Sequence, residues 1–405
     1  ETDKTVTQTV TEIINDVREN GDSAVDKYSK KFDGFIPEKR ILDREDIRKA
    51  AEQCEGEYLE MLRRAAANIE RFHRRQVQQS WLTTEEDGVI LGQRIRGLHR
   101  VGVYVPGGTA AYPSSVLMCV IPAKIAGVKE IVMVTPPSKE EANKTILAAA
   151  YIAGVDKIYL MGGAQAVAAL AYGTETVPKA DKIVGPGNIY VATAKRLIYG
   201  AADIDMIAGP SDILIVADDS ANYKYLAADL LSQAEHDVLA SSILITVSME
   251  TAKLVQKETE RQLNNLPRKE IAGKAIENNS AIIVCENMDK AVELANEFAP
   301  EHLEVSARDP MTYIGKIDNA GSVFLGNYSP EPLGDYYVGP NHVLPTLGTA
   351  RFFSPLSVDS FVKKSSFMYY TKSAFERSAD DVIMFAESEG LKAHANSVRV
   401  RREDV

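Results

Sequence analysis

The stretch Val101-Gly-Val-Tyr-Val-Pro-Gly-Gly-Thr-Ala-Ala-Tyr-Pro-Ser-Ser-Val-Leu-Met-Cys-Val-Ile-Pro-Ala123 carries no charge and is long enough to cross a bilayer. Its prolines at 106, 113 and 122 and its glycines at 102, 107 and 108 break a lipid-exposed helix. It reads instead as a strand (101–105), a glycine loop and a helix (114–126). The pattern repeats downstream, with strands predicted at 130–135, 157–161 and 182–184 and helices at 140–152 and 163–172. Strand–helix alternation of this kind builds a parallel sheet covered on both faces.

A second series follows, with strands at 212–217, 242–247, 281–284, 303–306 and 322–325. Helices near 221–236, 250–264 and 288–298 separate its first members. The fold class is therefore α/β, with two tandem Rossmann-like, incomplete parallel-sheet units meeting near Ala208–Gly209. Upstream, residues 5 to about 76 read as helix: Val10, Ile13, Ile14 and Val17 recur at helical spacing and Gly21 follows as a stop. The expected organisation is an N-terminal helical segment (1–100) packing on the second α/β unit, a first α/β domain (101–208), a second (209–347) and a tail (348–405). Helices are expected at 374–400, before a basic cluster, Arg399, Arg401 and Arg402, that reads as a solvated terminus.

The 405 residues are two to three times a typical domain, 45% hydrophobic and 25% charged, as in a globular protein with room for large cores. The net charge of −11 disfavours nucleic acid as a partner, and no membrane partner is expected. Cys54, Cys119 and Cys285 make neither a disulfide framework nor a Cys-based zinc site. That fits a reducing compartment, so a cytoplasmic protein is expected, or a plastid one in a plant. The sequence starts at Glu1 rather than Met, which leaves a removed leader open.

Four strand ends run into small-residue turns: Val105-Pro-Gly-Gly-Thr109, Met161-Gly-Gly-Ala-Gln165, Val184-Gly-Pro-Gly-Asn188 and Ala208-Gly-Pro-Ser211. Glycine lets a phosphate approach the backbone, and a following helix offers free N–H groups. Together the loops suit a dinucleotide. Singly, each is also what a tight turn with positive φ requires.

Six histidines allow each to be weighed. His73 and His99 sit among arginines and read as exposed and non-functional. On the helix ending at His236, Leu226 and Leu230 mark the apolar stripe, and Gln233 falls inside it. A Gln there needs a partner, and Gln233 with His236 at i, i+3 can face one ion. A dipole-stabilised terminal His and a backbone-bonded Gln are the competing account. Glu301-His302 joins a helix to a strand, where His suits a general base and Glu can activate water; an exposed turn would look the same. Asp335 and His342 share the loop Gly334-Asp-Tyr-Tyr-Val-Gly-Pro-Asn-His-Val-Leu-Pro345, a setting for functional groups or for self-capping polar residues. His394, in the tail, would alone read as solvated.

Gly185-Pro-Gly-Asn188, Leu231-Ser-Gln-Ala-Glu-His-Asp237, Phe298-Ala-Pro-Glu-His-Leu303, Gly339-Pro-Asn-His-Val-Leu-Pro345 and Glu389-Gly-Leu-Lys-Ala-His394, in this order and spacing, resemble the histidinol dehydrogenases, zinc- and NAD-dependent enzymes that close histidine biosynthesis. The resemblance spans nearly the whole chain. It implies one Zn²⁺ per subunit held by Gln233, His236, Asp335 and His394, the last from a partner whose helical tail is exchanged across a homodimer with shared sites. It implies Glu301 and His302 as the acid–base pair. Ser211, His342 and Glu389 would line the L-histidinol site together with the zinc ligands and His302, and Tyr104, Gln165 and Asn188 would contact NAD.

The residue types suit a four-electron oxidation, in which two hydrides leave and water adds to an intermediate aldehyde. A related zinc- and NAD-dependent dehydrogenase of another small alcohol is the alternative. A zinc hydrolase is disfavoured because His-Glu-x-x-His is absent and the glycine loops would lack a purpose. A scaffold with structural zinc is disfavoured because no Cys ligands are in place.

Overall fold

The computed structural model describes residues 4–107, 112–137 and 144–403. Gly108 and Thr109 of the first glycine loop, and 140–143 of the helix read at 140–152, lie outside them. The chain divides into two compact units: Glu1–Val77 with Leu98–Phe361, and Gln78–Gly97 with Val362–Val405.

The first unit opens with α1 (Lys4–Phe32), which buries Val10, Ile13, Ile14 and Val17 as their spacing predicts. Gly21 interrupts it at φ +52°, where a side chain would strike the Glu175 carboxylate. β1 (Ile41–Leu42), α2 (Arg44–Ala51) and α3 (Gly56–His73) follow. Asp43 starts α2 with a capping box closed by Asp46. The chain then leaves for the second unit through β2 (Trp81–Thr83) and β3 (Val89–Gly97).

It returns at β4 (Arg100–Tyr104), followed by α4 (Pro113–Ile125), β5 (Glu130–Thr135), α5 (Lys144–Ala153) and β6 (Lys157–Leu160). Next come α6 (Gly163–Tyr172), β7 (Lys182–Val184), α7 (Ile189–Ile198) and β8 (Asp203–Ile204). The sheet order is β1-β6-β5-β4-β7-β8, with β1 antiparallel to β6 and the other pairs parallel. The chain moves outward from β4 to β6, then crosses back to lay β7 on the free side of β4. That reversal opens a crevice at the carboxyl ends of β4 and β7.

The second run holds β9 (Asp212–Ala217), α8 (Tyr223–Ala234), β10 (Ser241–Thr246), α9 (Met249–Leu263) and α10 (Lys269–Asn279). β11 (Ala281–Val284), α11 (Met288–Phe298), β12 (His302–Ser306), β13 (Ser322–Leu325) and α12 (Glu331–Tyr336) complete it. Its sheet is parallel throughout, in the order β11-β10-β9-β12-β13. The sequence reading had no counterpart for α10.

One expected placement is corrected. The N-terminal helices cover the first sheet, not the second: α1 packs on α6 and α7, α2 on α5, and α3 on α4 and α5. The reason is that α4 and α6 are buried on nearly every side. A helix apolar all round needs another layer outside it. α1 joins the core around Val167 and Leu170, while Ile47, Leu62 and Ile69 join the one around Leu117 and Met118.

The second unit bears out the helices expected at 374–400 and adds a strand ahead of them that the sequence reading lacked. Its β14 (Val362–Tyr370) pairs antiparallel with β3, which pairs with β2, in the order β14-β3-β2. α13 (Lys372–Ser388), capped by Thr371, and α14 (Lys392–Glu403) end the chain. Phe361, fully buried, still belongs to the first unit.

Candidate active site

A cleft of about 750 Å³ lies between the carboxyl ends of the first sheet and the amino ends of the second. Gly185–Asn188 and Asp205 contribute from the first; Ser211, Gln233, His236, Glu301, His302, Glu331, Asp335 and His342 from the second. The loop Ala208-Gly-Pro-Ser211, read as following a strand end, instead leads into β9.

Glu301 and His302 sit where α11 stops. Ala299 takes left-handed φ (+51°) as the cap of α11, Pro300 follows, and β12 begins at His302. Gly321 packs so close that a Cβ would stand 2.5 Å from the Glu301 carbonyl oxygen. Asp212, at the start of β9, brackets the pair. Its Oδ1 accepts the Glu301 N–H (2.8 Å) and its own N–H donates to Glu301 Oε2 (3.0 Å). His302 Nδ1 donates to the Asp212 carbonyl (3.0 Å). His302 Nε2 has no hydrogen-bond partner and stands 3.7 Å from Asp335 Oδ1 and 3.8 Å from Glu331 Oε1.

Burial pushes Glu301 up to about 7, against the pull of His302. Burial works to lower the His302 imidazole, but Glu301, Asp335 and Glu331 outweigh it and hold the ring at about 10. Burial raises Glu331 well above its usual range, whereas His302 and His342 hold Asp335 low in spite of its burial.

Potential ligand atoms of His236, Glu331 and Asp335 lie within 4.8 Å of one another. Gln233 is buried on the adjoining wall, and its Oε1 has no partner. α8 ends at Ala234, so His236 sits just beyond the helix cap rather than on the helix itself. A buried orphan amide oxygen beside an imidazole and two carboxylates suits a divalent cation. His342 donates from Nδ1 to the Asp335 carbonyl (2.9 Å), and its Nε2 takes the Ser115 hydroxyl (3.2 Å). Gly334 lets α12 pack on the Phe324 ring, itself 6.0 Å from the His302 ring.

At the crevice beside β4 and β7, Gly185 has φ +113°, and a Cβ there would stand 2.1 Å from the Tyr104 carbonyl oxygen. Tyr104 is buried and its hydroxyl accepts the Gly163 N–H (3.0 Å). Gln165 is buried with its Oε1 unpaired, and Asn188 caps α7 in the cleft wall. Asp33 is half-buried with a buried, unpaired Oδ2, and desolvation pushes it up to about 6.

The structure thus gathers Ser211, Gln233, His236, Glu301, His302, Asp335, His342 and Asn188 around one cleft, with Tyr104 at the end of β4 and Gln165 in the first turn of α6. Glu389 and His394 belong to the second unit, both exposed, at the end of α13 and in α14. Asp33, Asp212 and Glu331 escaped the sequence reading. His73, expected to be exposed, is fully buried.

A family model described as Histidinol dehydrogenase matches residues 1–402. The chain belongs to the histidinol dehydrogenase family. A histidinol dehydrogenase of Bacillus cereus is 57% identical over 402 residues, covering 99% of this chain and 94% of its own. One of Clostridium acetobutylicum is 55% identical over 397 residues, covering 98% and 92%. The crystal structure of histidinol dehydrogenase from Elizabethkingia anophelis matches with a TM-score of 0.93 at 40% identity, covering 98% of this chain and 92% of its own. An acetylating aldehyde dehydrogenase from Geobacillus thermoglucosidasius matches at a TM-score of 0.51 and 15% identity, a likeness of fold alone. Membership of the family makes this chain an oxidoreductase. No helix among the described residues is long and apolar enough to cross a membrane.

Proposed function

We propose that this protein oxidises L-histidinol to L-histidine through L-histidinal, with two NAD⁺ reduced per turnover, at the close of histidine biosynthesis in the cytoplasm. The observation behind the reading is the unpartnered His302 Nε2, set beside Glu301 and facing the carboxylates of Glu331 and Asp335. A primary alcohol loses four electrons on becoming a carboxylate, and each NAD⁺ takes one hydride, so the site must act twice. His302 takes the hydroxyl proton in the first oxidation. Glu301, poised near neutrality, takes a proton from the water that adds to the aldehyde, and His302 serves again in the second oxidation.

Gln233, His236 and Asp335, with His394 from a second copy in a homodimer, would hold one zinc ion per subunit. Bound there, zinc would offset the surrounding carboxylates, favouring the neutral imidazole a base needs, and would give the substrate's amine and imidazole an anchor. Ser211, His342 and Glu389 complete the substrate site. Tyr104, Gln165 and Asn188 hold NAD in the crevice where the first sheet reverses direction.

The test is NADH formation with limiting L-histidinol before chelation, after it, and with zinc restored. About two NADH per histidinol, lost on chelation and recovered with zinc, is expected from two hydride transfers. No NADH from folded, zinc-loaded protein would overturn the reading in favour of another small alcohol as substrate.

A further inference from the structure

The loop carrying Asp335 and His342 is held from behind by α3, a helix outside both strand–helix runs. Asn68 Nδ2 donates to the Tyr337 carbonyl at 3.0 Å. Gly339, at φ +125°, lies so close that a Cβ would stand 2.8 Å from the Asn68 carbonyl oxygen and 2.9 Å from Phe72 Cβ. The third contact is the buried His73. Asn341 Nδ2 is 3.3 Å from His73 Nε2 and 2.7 Å from the Met118 carbonyl oxygen, and Asn341 Oδ1 accepts the Val343 N–H at 2.9 Å. Both amide hydrogens and the amide oxygen are therefore used. His73 Nδ1 meets Gln76 Oε1 at 2.7 Å, an acceptor, so the proton sits on Nδ1 and Nε2 is free to accept from Asn341. Gln76 Oε1 also takes the Val358 N–H at 3.2 Å.

Asn341 immediately precedes His342, whose own ring is tied to Asp335 and Ser115 at either nitrogen. Those two bonds keep their geometry only while the backbone on both sides of His342 is fixed, and Asn341 fixes it. We infer that His73, acting through Asn341, is a positioning residue for His342, so that α3 sets the affinity of the site for its imidazole- and amine-bearing substrate. The inference rests on His342 being a substrate contact. His73 does not line the cleft, whereas Ser115, His342 and Val343 do.

The test measures KM and kcat for L-histidinol, with thermal unfolding, on full-length zinc-loaded protein. The variants are His73→Phe, His342→Ala and the two combined. Phe keeps the ring's bulk but leaves a buried amide hydrogen of Asn341 unpaired. KM should rise about tenfold with kcat within about threefold, the size expected for one stranded buried donor. Once His342 is Ala, His73→Phe should raise KM no further, because residues acting through one another are not additive. An additive rise, or an unchanged KM in folded His73→Phe, would overturn the inference while leaving the substrate reading intact. An unchanged KM in His342→Ala would overturn both. If His73→Phe does not fold, Asn68→Ala serves in the same cycle, with a rise of a few-fold expected and the same additive or null results counting against it.

Discussion

Replacing Lys195 by Met interrogates a buried ion pair beneath the Gly185–Asn188 loop. The Lys195 ammonium pairs with Asp205, and the two side chains are only 3% and 1% exposed. Lys195 Nζ also donates to the Gly185 carbonyl (2.9 Å), while Asp205 accepts the N–H groups of Gly185 (2.8 Å) and Met206 (2.7 Å). Removing one member of a buried pair costs about 3–5 kcal/mol, because the other charge is left uncompensated. After Lys195→Met, Asp205 keeps two N–H donors, which places the loss near the lower end, about 3 kcal/mol. Asp205→Leu strands an ammonium and two N–H groups together, which places it near the upper end, about 5 kcal/mol. The double variant carries no stranded charge and should be about 2 kcal/mol more stable than Asp205→Leu alone. Urea unfolding of the four proteins, followed by circular dichroism, gives the cycle. Additive losses, or a greater loss for Lys195→Met than for Asp205→Leu, would refute the reasoning.

Glu301→Gln should slow aldehyde oxidation more than alcohol oxidation, since only the second half-reaction adds water; half-reactions measured separately with L-histidinol and L-histidinal check this. Gln233→Leu should weaken zinc binding yet stabilise the metal-free protein by about 1 kcal/mol, because a buried amide oxygen without a partner disappears; zinc titration and metal-free unfolding read the two effects. In metal-free protein the His302 imidazole is raised to about 10. Its contribution to stability is then complete below the unfolded imidazole value of about 6.5 and is lost as pH rises toward 10. His302→Asn should flatten the fall in unfolding midpoint between about pH 7 and 10, and an unchanged slope would count against it. Mixing His394→Ala subunits with His236→Ala subunits should restore activity if His394 acts in a second copy; mixed dimers without recovery would remove that role.

Short apolar strands were the legible part of the fold, whether fully buried like β7 or largely exposed like β11. The expected spans 182–184, 212–217, 281–284 and 322–325 match β7, β9, β11 and β13 to the residue, because each is a short apolar run closed by small or polar residues. β14 escaped because eight of its nine residues are exposed, which leaves no alternation to read. The placement of α1, α2 and α3 escaped because an amphipathic stripe announces that it will be buried, not against what.

Within the site, Gln233, His236, Glu301, His302, Asp335 and His342 were found by residue type and resemblance, and the structure collects them around one cleft. Glu331 was hidden in Ser329-Pro-Glu-Pro-Leu-Gly334, which looks like a turn but carries a six-residue helix. Asp212 looked like a strand's polar first residue; its role depends on β12 lying next to β9, a pairing of distant segments. His73 misled because Arg71, Arg74 and Arg75 surround it in sequence. Arg71 lies on the opposite side of α3 from His73, and Arg74 and Arg75 fall in the 3-10 turn after the helix ends, all three exposed.

The cleft joins the trailing ends of one sheet's strands to the leading ends of another's. The two halves of the chemistry are thereby written in separate stretches of chain: the glycine-loop surface in 104–205, the acid–base and ligand groups of the first unit in 211–342. Evolution, or an engineer, can revise one without rewriting the other. On the proposed reading, loops following β4 and β7 are where a change of cofactor preference would be grafted, and the segments opening β9 and β12 are where a new alcohol would be accommodated. Under the proposed chemistry only the gap between the sheets must stay constant, because the hydride would have to cross it.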